Sequence, residues 1–343
     1  MARPTIRDLA EAAGVSVATV NRVLAGRGNV RPGLMQSIVT AAETIGFYGV
    51  GAIQSRMADA ARVRYRFGFL LNQPSRAWYQ NLAKAIRSAA EDATDCEIEV
   101  RIEFLDDLSP ENIAARMIAL GSECDAIGVV AAVHPLVSQA MAELQDQGKP
   151  VFALISQLGA TGQLNYVGLD NWKVGRTAAW AIEHICKAPG KLGILVGNHR
   201  YRCQDMNESG FRSYFREHAP EFTLLEPLST FETRAVAQEM TEKLLSEHPD
   251  LVGLYVAGGG ISGVIAALRA SGRAGKVVVV GYELMDITRS GLLDGALTFV
   301  ISHPLDRLAN EALSRMVRAV NVKSNEGNYT CILPFEIFTR ENI

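Results

Sequence analysis

Cysteine is scarce and scattered in this chain. Cys96, Cys124, Cys186, Cys203 and Cys331 stand far apart, with no CxxC pair and no tight Cys/His grouping. Neither a disulfide framework nor a tetrahedral zinc site is therefore expected. No stretch approaches the roughly 18 to 20 uncharged apolar residues needed to span a bilayer. Met1 to Thr5 carry no apolar run behind a basic patch, so a cytoplasmic location and no membrane partner are expected. No G-x-S-x-G elbow is present, and none of the six histidines pairs with another at ligand spacing. Hydrolytic and metal-assisted chemistry both lack their parts, and neither a metal nor a cofactor is expected.

What is present is apolar and divided in charge. At 343 residues and 48% hydrophobic, the chain can bury more than one core and should form two or three domains. The net charge of −3 conceals an asymmetry. Nine arginines against four carboxylates leave residues 1–66 at +5, so the remainder carries −8. A basic head suits a polyanionic partner, and an acidic body is repelled by the same partner.

The head reads as three short helices. In TIRDLAEAAG, Thr5 is an N-cap, Ile6, Leu9, Ala10 and Ala13 form a stripe at helical spacing, and Gly14 ends the run. Ser16 caps a second helix with Val17, Val20, Val23 and Leu24 toward its buried side, and a third runs from about Pro32 to Ile45 before Gly46. The AAGVS turn between the first two suits a helix-turn-helix, whose second helix offers its polar face to the major groove. The outward positions would be Val17, Ala18, Thr19, Asn21 and Arg22. Arg22 can donate twice to a guanine edge, Asn21 can reach a base or a phosphate, and Val17 and Ala18 can touch thymine methyls. A three-helix accessory domain with an exposed arginine is the bland alternative.

From Tyr65 onward, short β-rich runs such as RFGFLLN, DAIGVVA, KLGILVG and KVVVVGYE alternate with amphipathic helices. This is the pattern of parallel sheets with helices on both faces. More than eight such runs exceed one comfortable sheet, so two lobes are expected. Between head and body, Tyr48 to Arg64 reads as a linker marked by Gly49 and Gly51, with one short helix, AIQSRMAD.

The segment TIRDLAEAAGVSVATVNRVLAGRGNVRPGLMQSIVTAAETIGF resembles the DNA-binding head of the lactose/galactose (LacI/GalR) repressor family along its whole length, with Asn21 where most members have Ser. The resemblance implies base reading by Val17, Ala18 and Arg22. It implies backbone contacts by Thr5, Ser16, Thr19, Asn21 and the segment around Gly28 to Arg31, Asn29 included. It also implies a hinge helix that folds on the operator and wedges a leucine into the minor groove. Here Met57, flanked by Ala52 and Ala58, takes the leucine's place, although the usual preceding proline is missing and the linker is one residue longer. A flexible tether whose Met57 packs on the body is the competing reading.

The body resembles the ribose-binding, periplasmic-binding-protein-like effector domain of that family. The implied fold is an N-terminal all-α helix-turn-helix domain followed by an α/β type I two-lobed domain with parallel sheets. The expected bounds are 1–48 for the head, 49–63 for the linker and 64–343 for the body. Within the body, a first lobe is expected at about 64–169 and 298–322, and a second at about 170–297 and 323–343. Such clamps hold a ligand at the carboxyl ends of opposed strands, stacking rings on a sugar and pairing its hydroxyls with planar groups. The candidates are Asn72, Gln73, Trp78, Tyr79 and His134 on one wall, Asp170 with Asn171 at a crossing, and a second-wall set. That set comprises His199, Arg200, Tyr201, Arg202, Gln204 and Asp205, with Glu283 and His303. Asp205 stands where ribose-binding relatives place an arginine, and Gly258 and Gly259 replace an Asn-Asp pair. The identity of a sugar or sugar phosphate therefore cannot be inherited.

One rival uses the same body. Gly258, Gly260 and Gly263 satisfy G-x-G-x-x-G between a strand and a helix, and Glu283 follows about 20 residues on, as a nicotinamide-dinucleotide site requires. Against it, about five strands precede the motif, and no Tyr-x-x-x-Lys or comparable set follows. The preferred expectation is a homodimeric, possibly tetrameric, repressor of carbohydrate uptake or catabolism genes. It would bind operator DNA under the control of a small sugar, polyol or sugar-phosphate effector and carry no catalytic residue.

Overall fold

The computed structural model describes residues 3–25, 31–159, 165–322 and 329–343. The described residues up to Arg64, with the short segment Ala93–Glu97, form one compact unit, and the other described residues form another.

The head contains α1 (Ile6–Ala12), α2 (Val17–Ala25), α3 (Pro32–Ile45) and α4 (Val50–Ala61). The start of α1 is fixed by a reciprocal cap: the Thr5 backbone N–H donates to Asp8 Oδ2 at 2.7 Å, and the Asp8 N–H donates to Thr5 Oγ1. This holds the Asp8 carboxyl below the usual range. Gly14 and Gly46 take φ of 64° and 68°, the left-handed values that let the chain leave α1 and α3 sharply. Leu9, Val20, Ile38 and Ile53 are fully buried in one small core. Ile53 comes from the segment expected to be a linker. That segment is helical over Val50–Ala61, Gly51 included, and Ile53 anchors it in the head core.

In the body, the strands in chain order are β1 (Val63–Asn72), β2 (Cys96–Leu105), β3 (Ala126–Val129), β4 (Val151–Leu154), β5 (Asn165–Leu169), β6 (Lys191–Val196), β7 (Thr223–Leu224), β8 (Leu228–Ser229), β9 (Leu251–Val256), β10 (Val278–Tyr282), β11 (Phe299–Ser302), β12 (Cys331–Leu333) and β13 (Glu336–Phe338). The helices are α5 (Ala77–Glu91), α6 (Pro110–Glu123), α7 (Pro135–Asp146), α8 (Asn171–Ile185), α9 (Arg202–His218), α10 (Arg234–Glu247), α11 (Ile261–Ala270), α12 (Asp286–Leu293) and α13 (Leu305–Asn321). One sheet has the order β12-β5-β4-β3-β1-β2, and the other β13-β11-β10-β9-β6-β7 with β8 also on β6. The central strands β3 and β4 are buried throughout, as strands covered on both faces must be. The edge strand β2 instead presents exposed Glu97, Glu99 and Arg101, charges that discourage edge-to-edge pairing.

The lobe bounds differ from the expectation. β11 pairs with β10 and so belongs to the second sheet, while α13 packs on α5 of the first lobe. β12 pairs with β5 in the first sheet, and β13 pairs antiparallel with β11 in the second. The later crossings therefore lie at His303–Pro304 and Pro334–Phe335. The lobes trade short strands that carry no patterning of their own, so only pairing reveals which sheet they join. Helices α8 and α9 approach closely at Gly175 and Gly210: a Cβ on Gly175 would sit 2.8 Å from the Phe211 backbone nitrogen.

Candidate functional site

Two regions gather the candidates. On the head, α2 exposes Val17, Ala18, Asn21 and Arg22 on one face and buries Val20 and Val23 on the other. Val17, at 41% exposed, is an apolar group left in water beside two polar ones. Ser16 starts the helix by accepting from the Thr19 N–H at 3.2 Å. Thr19 departs from the expectation, since it is buried rather than outward. Its hydroxyl pairs with Ser16 Oγ at 2.9 Å and receives Arg22 Nη2 at 3.4 Å. Thr19 thus braces the neighbours that face outward. Thr5 and Arg31 are exposed. Asn29 lies outside the described residues. The Met57 backbone lies in α4, and its side chain is likewise outside the description.

In the body, a cavity of about 610 Å³ opens where the carboxyl ends of both sheets face each other. β1 delivers Asn72 and Gln73, the first turn of α5 delivers Trp78 and Tyr79, and the loop after β3 delivers His134, which also caps α7. From the second lobe come Arg200, Tyr201 and Gln204 around the start of α9, Gly258 to Gly260 after β9, and Glu283 after β10. The two walls touch directly. Asn72 Nδ2 donates to Tyr201 Oη at 2.8 Å and to Tyr79 Oη at 3.1 Å, and the Val133 N–H donates to the Arg200 carbonyl at 2.9 Å. Arg76 Nη2 donates to the Glu232 carbonyl at 2.9 Å, and its Nη1 pairs with the Glu232 carboxylate.

Burial pushes the Tyr201 hydroxyl and the Cys203 thiol each up to about 12, and Tyr79 well above its usual range. At neutral pH these three groups are uncharged donors and acceptors, and Cys203 is no nucleophile. Asn72 Oδ1 and Trp78 Nε1 are buried on this wall with no hydrogen-bond partner among the described residues. Buried polar atoms of this kind are costly unless something else pairs with them.

Some expected residues lie elsewhere. Asp170 caps α8, accepting from the Lys173 N–H at 3.2 Å, and does not line the cavity. Asn171, beside it, is buried and donates to Tyr166 Oη. Asp205 is exposed in the first turn of α9, where a carboxylate suits the helix dipole, and Arg202 is half-buried off the wall. His199 is exposed and pairs with Glu208. His303 sits behind the wall, with Nδ1 against Glu283 Oε1 at 2.5 Å, while Glu283 Oε2 accepts from Ser302 Oγ at 3.1 Å and the His303 N–H at 3.2 Å. The sequence reading missed Arg76 and Glu232. Arg76 lies between the named pairs 72–73 and 78–79, so proximity alone could have flagged it. Glu232 follows a strand of two residues, too short to announce itself as a strand end.

The chain belongs to the family defined by the periplasmic binding protein domain, whose family model matches residues 67–324. The head matches the model of bacterial regulatory proteins of the lacI family over residues 5–49. A ribose operon repressor of Bacillus subtilis is 26% identical over 325 residues, covering 90% of this chain and 89% of that protein. A D-ribose/D-allose-binding protein of Pseudomonas aeruginosa is 30% identical over 133 residues, which is 38% of this chain and only 40% of the relative. Among solved structures, a solute-binding protein of Agrobacterium vitis bound with α-D-tagatopyranose superposes with TM-score 0.72 at 19% identity, covering 81% of this chain and 95% of that one. One of Actinobacillus succinogenes with bound D-allose gives 0.72 at 19%, covering 81% and 98%. The likeness to these structures is one of fold, and the oxidoreductase alternative gains no support.

Proposed function

We propose that the chain is a sugar-responsive transcriptional repressor: the head binds operator DNA in the major groove through α2, and the body binds a small polyhydroxylated effector that alters the head's grip. The observation that carries the reading is the union, in one chain, of a lacI-family head with a two-lobed body whose walls meet over Asn72 Oδ1 and Trp78 Nε1, buried with no hydrogen-bond partner among the described residues. The named relatives support a pentose, hexose or ketose as the class of effector. On the first wall, Asn72, Gln73, Trp78, Tyr79 and His134 serve the effector; on the second, Arg200, Gln204 and Glu283 do. On the head, Val17, Ala18, Asn21 and Arg22 meet bases or phosphates, with Thr5, Ser16, Asn29 and Arg31 along the backbone and Met57 on the hinge.

The protein acts as a homodimer in the cytoplasm, because one small head offers too little surface for specific affinity at physiological salt. It binds and does not catalyse. A coupling of about 1 to 3 kcal/mol between effector and operator would change operator affinity about 5- to 150-fold. A thermal-shift screen of D-ribose, D-allose, D-tagatose, polyols and sugar phosphates, with a nicotinamide dinucleotide as control, tests the effector class. A sugar should raise the unfolding temperature of the body, and stabilisation by the dinucleotide alone would overturn the reading.

A further inference from the structure

The glycine segment that imitates a dinucleotide fingerprint has another occupant. Phe231 and Glu232 follow β8 with φ of 48° and 62°, two successive side-chain-bearing residues in the left-handed region, where such residues are rare and tend to mark function. That backbone turns the Glu232 side chain inward, leaving it 15% exposed. Gln204 Nε2 donates to Oε1 and Arg76 Nη1 to Oε2. Gln204 is held in turn by the Asn198 N–H, which donates to its Oε1 at 2.9 Å, and Arg76 by Gln73, whose Oε1 receives Arg76 Nε at 2.8 Å.

The carboxylate rests against backbone that has no side chains. A Cβ on Gly197 would run into Glu232 Oε1, and one on Gly259 into Glu232 Oε2, with Glu232 Cδ 2.9 Å away. A Cβ on Gly258 would run into Gln204 Oε1. The ends of β6 and β9 are therefore bare where the carboxylate and its amide partner lie.

We propose that Gly197 and Gly259 form a seat for the Glu232 carboxylate, with Gly258 making room for its partner Gln204, and that the seated Glu232 determines which effector the body accepts. This rests on the effector reading above. An ionised carboxylate accepts about four hydrogen bonds. Gln204 and Arg76 use two, so about two remain for hydroxyl groups of a bound molecule. The Arg76 charge is matched by the same carboxylate and is not left for a phosphate. Arg200 and Arg234 also line the cavity but are exposed to solvent, where their attraction for an anion is screened. The site thus selects an uncharged polyhydroxylated ligand over its phosphate ester, and it forms only when Arg76 of one lobe reaches Glu232 of the other.

Two measurements on the full chain test this. In thermal unfolding without ligand, Gly259→Ala should lower the body's transition by expelling Glu232. The Glu232→Ala/Gly259→Ala double variant should unfold close to where Glu232→Ala alone does, because the added methyl then meets only the far end of the Arg76 side chain, 3.1 Å away and free to move once its carboxylate partner is gone. Additive losses would overturn the seat. In calorimetry with D-ribose, D-allose, D-tagatose and D-ribose 5-phosphate, Glu232→Gln should lose 10-fold or more in affinity for the free sugar that the unaltered protein binds. The preference for free sugar over phosphate ester should shrink with it. Equal or tighter sugar binding by Glu232→Gln would overturn the role in selection. If the unaltered protein binds none of the four, the effector reading fails and takes Glu232's selective role with it, while the seat still stands or falls on the unfolding data.

Discussion

On the head, the recognition candidates Val17, Ala18, Asn21 and Arg22 lie within two turns of one helix, exposed together because Val20 and Val23 on the opposite face are buried. On the body, Asn72, Trp78, His134, Gln204 and Glu283 follow several different strands on two walls and share a cavity only after both sheets have formed. The difference teaches how each site is built. The head's site is a local consequence of one amphipathic helix, and the body's is a consequence of topology. Their cores are separate as well: one cluster spans Leu9 to Ile53, and the body has a cluster of its own in each lobe.

Separate cores imply separable failures. The largest effect is expected from Phe211→Ala in the body. Phe211 is fully buried and stacked on Tyr255 with ring centroids 4.8 Å apart, so its loss should cost about 3 to 5 kcal/mol. Calorimetry should show the body's transition lowered and the head's unmoved. Leu9→Ala is the converse, costing about 2 to 5 kcal/mol in the head core. Operator binding should be lost while sugar-induced stabilisation of the body persists; loss of both would mean the cores are not separate.

Smaller changes probe the recognition face. Arg22→Ala should cost about 1 to 3 kcal/mol and relax specificity at one base pair. Titration against single-base variants of the operator checks this, since an equal loss on every sequence would make Arg22 a phosphate contact. The smallest effect is expected at the cap: Thr5→Ala removes the acceptor that holds the Asp8 N–H and should lower head stability by about 0.5 to 2 kcal/mol. An unchanged head transition would show that the cap adds nothing.

The same contrast explains what could be read in advance. Caps, turns and buried stripes of the head are short-range features, so Thr5, Gly14, Ser16, Pro32 and Gly46 stand where the sequence implies. Thr19 was misplaced because the helical wheel puts it at the border of the exposed face, and its bonds to Ser16 and Arg22 draw it in. In the body, alternation predicts parallel sheets and strand ends, and Asn72, Trp78 and His134, singled out there, line the cavity. It cannot tell that Asp170 is committed to capping α8 or that His303 stands behind Glu283. Nor can it assign β11 and β12 to sheets, because strands of four and three residues owe their place to pairing alone. The glycine segment at 258–260 fits a phosphate-binding pattern, yet what approaches Gly259 is the Glu232 carboxylate and what approaches Gly258 is the Gln204 amide, both from the same chain.

The most direct measurement is fluorescence anisotropy of the full chain on a promoter duplex and on a scrambled duplex of equal length. It would be made at moderate ionic strength, with and without each sugar of the panel. The account predicts tighter binding to the promoter and a change of 5-fold or more on addition of one sugar. Equal affinity for both duplexes, unmoved by any sugar, would contradict it.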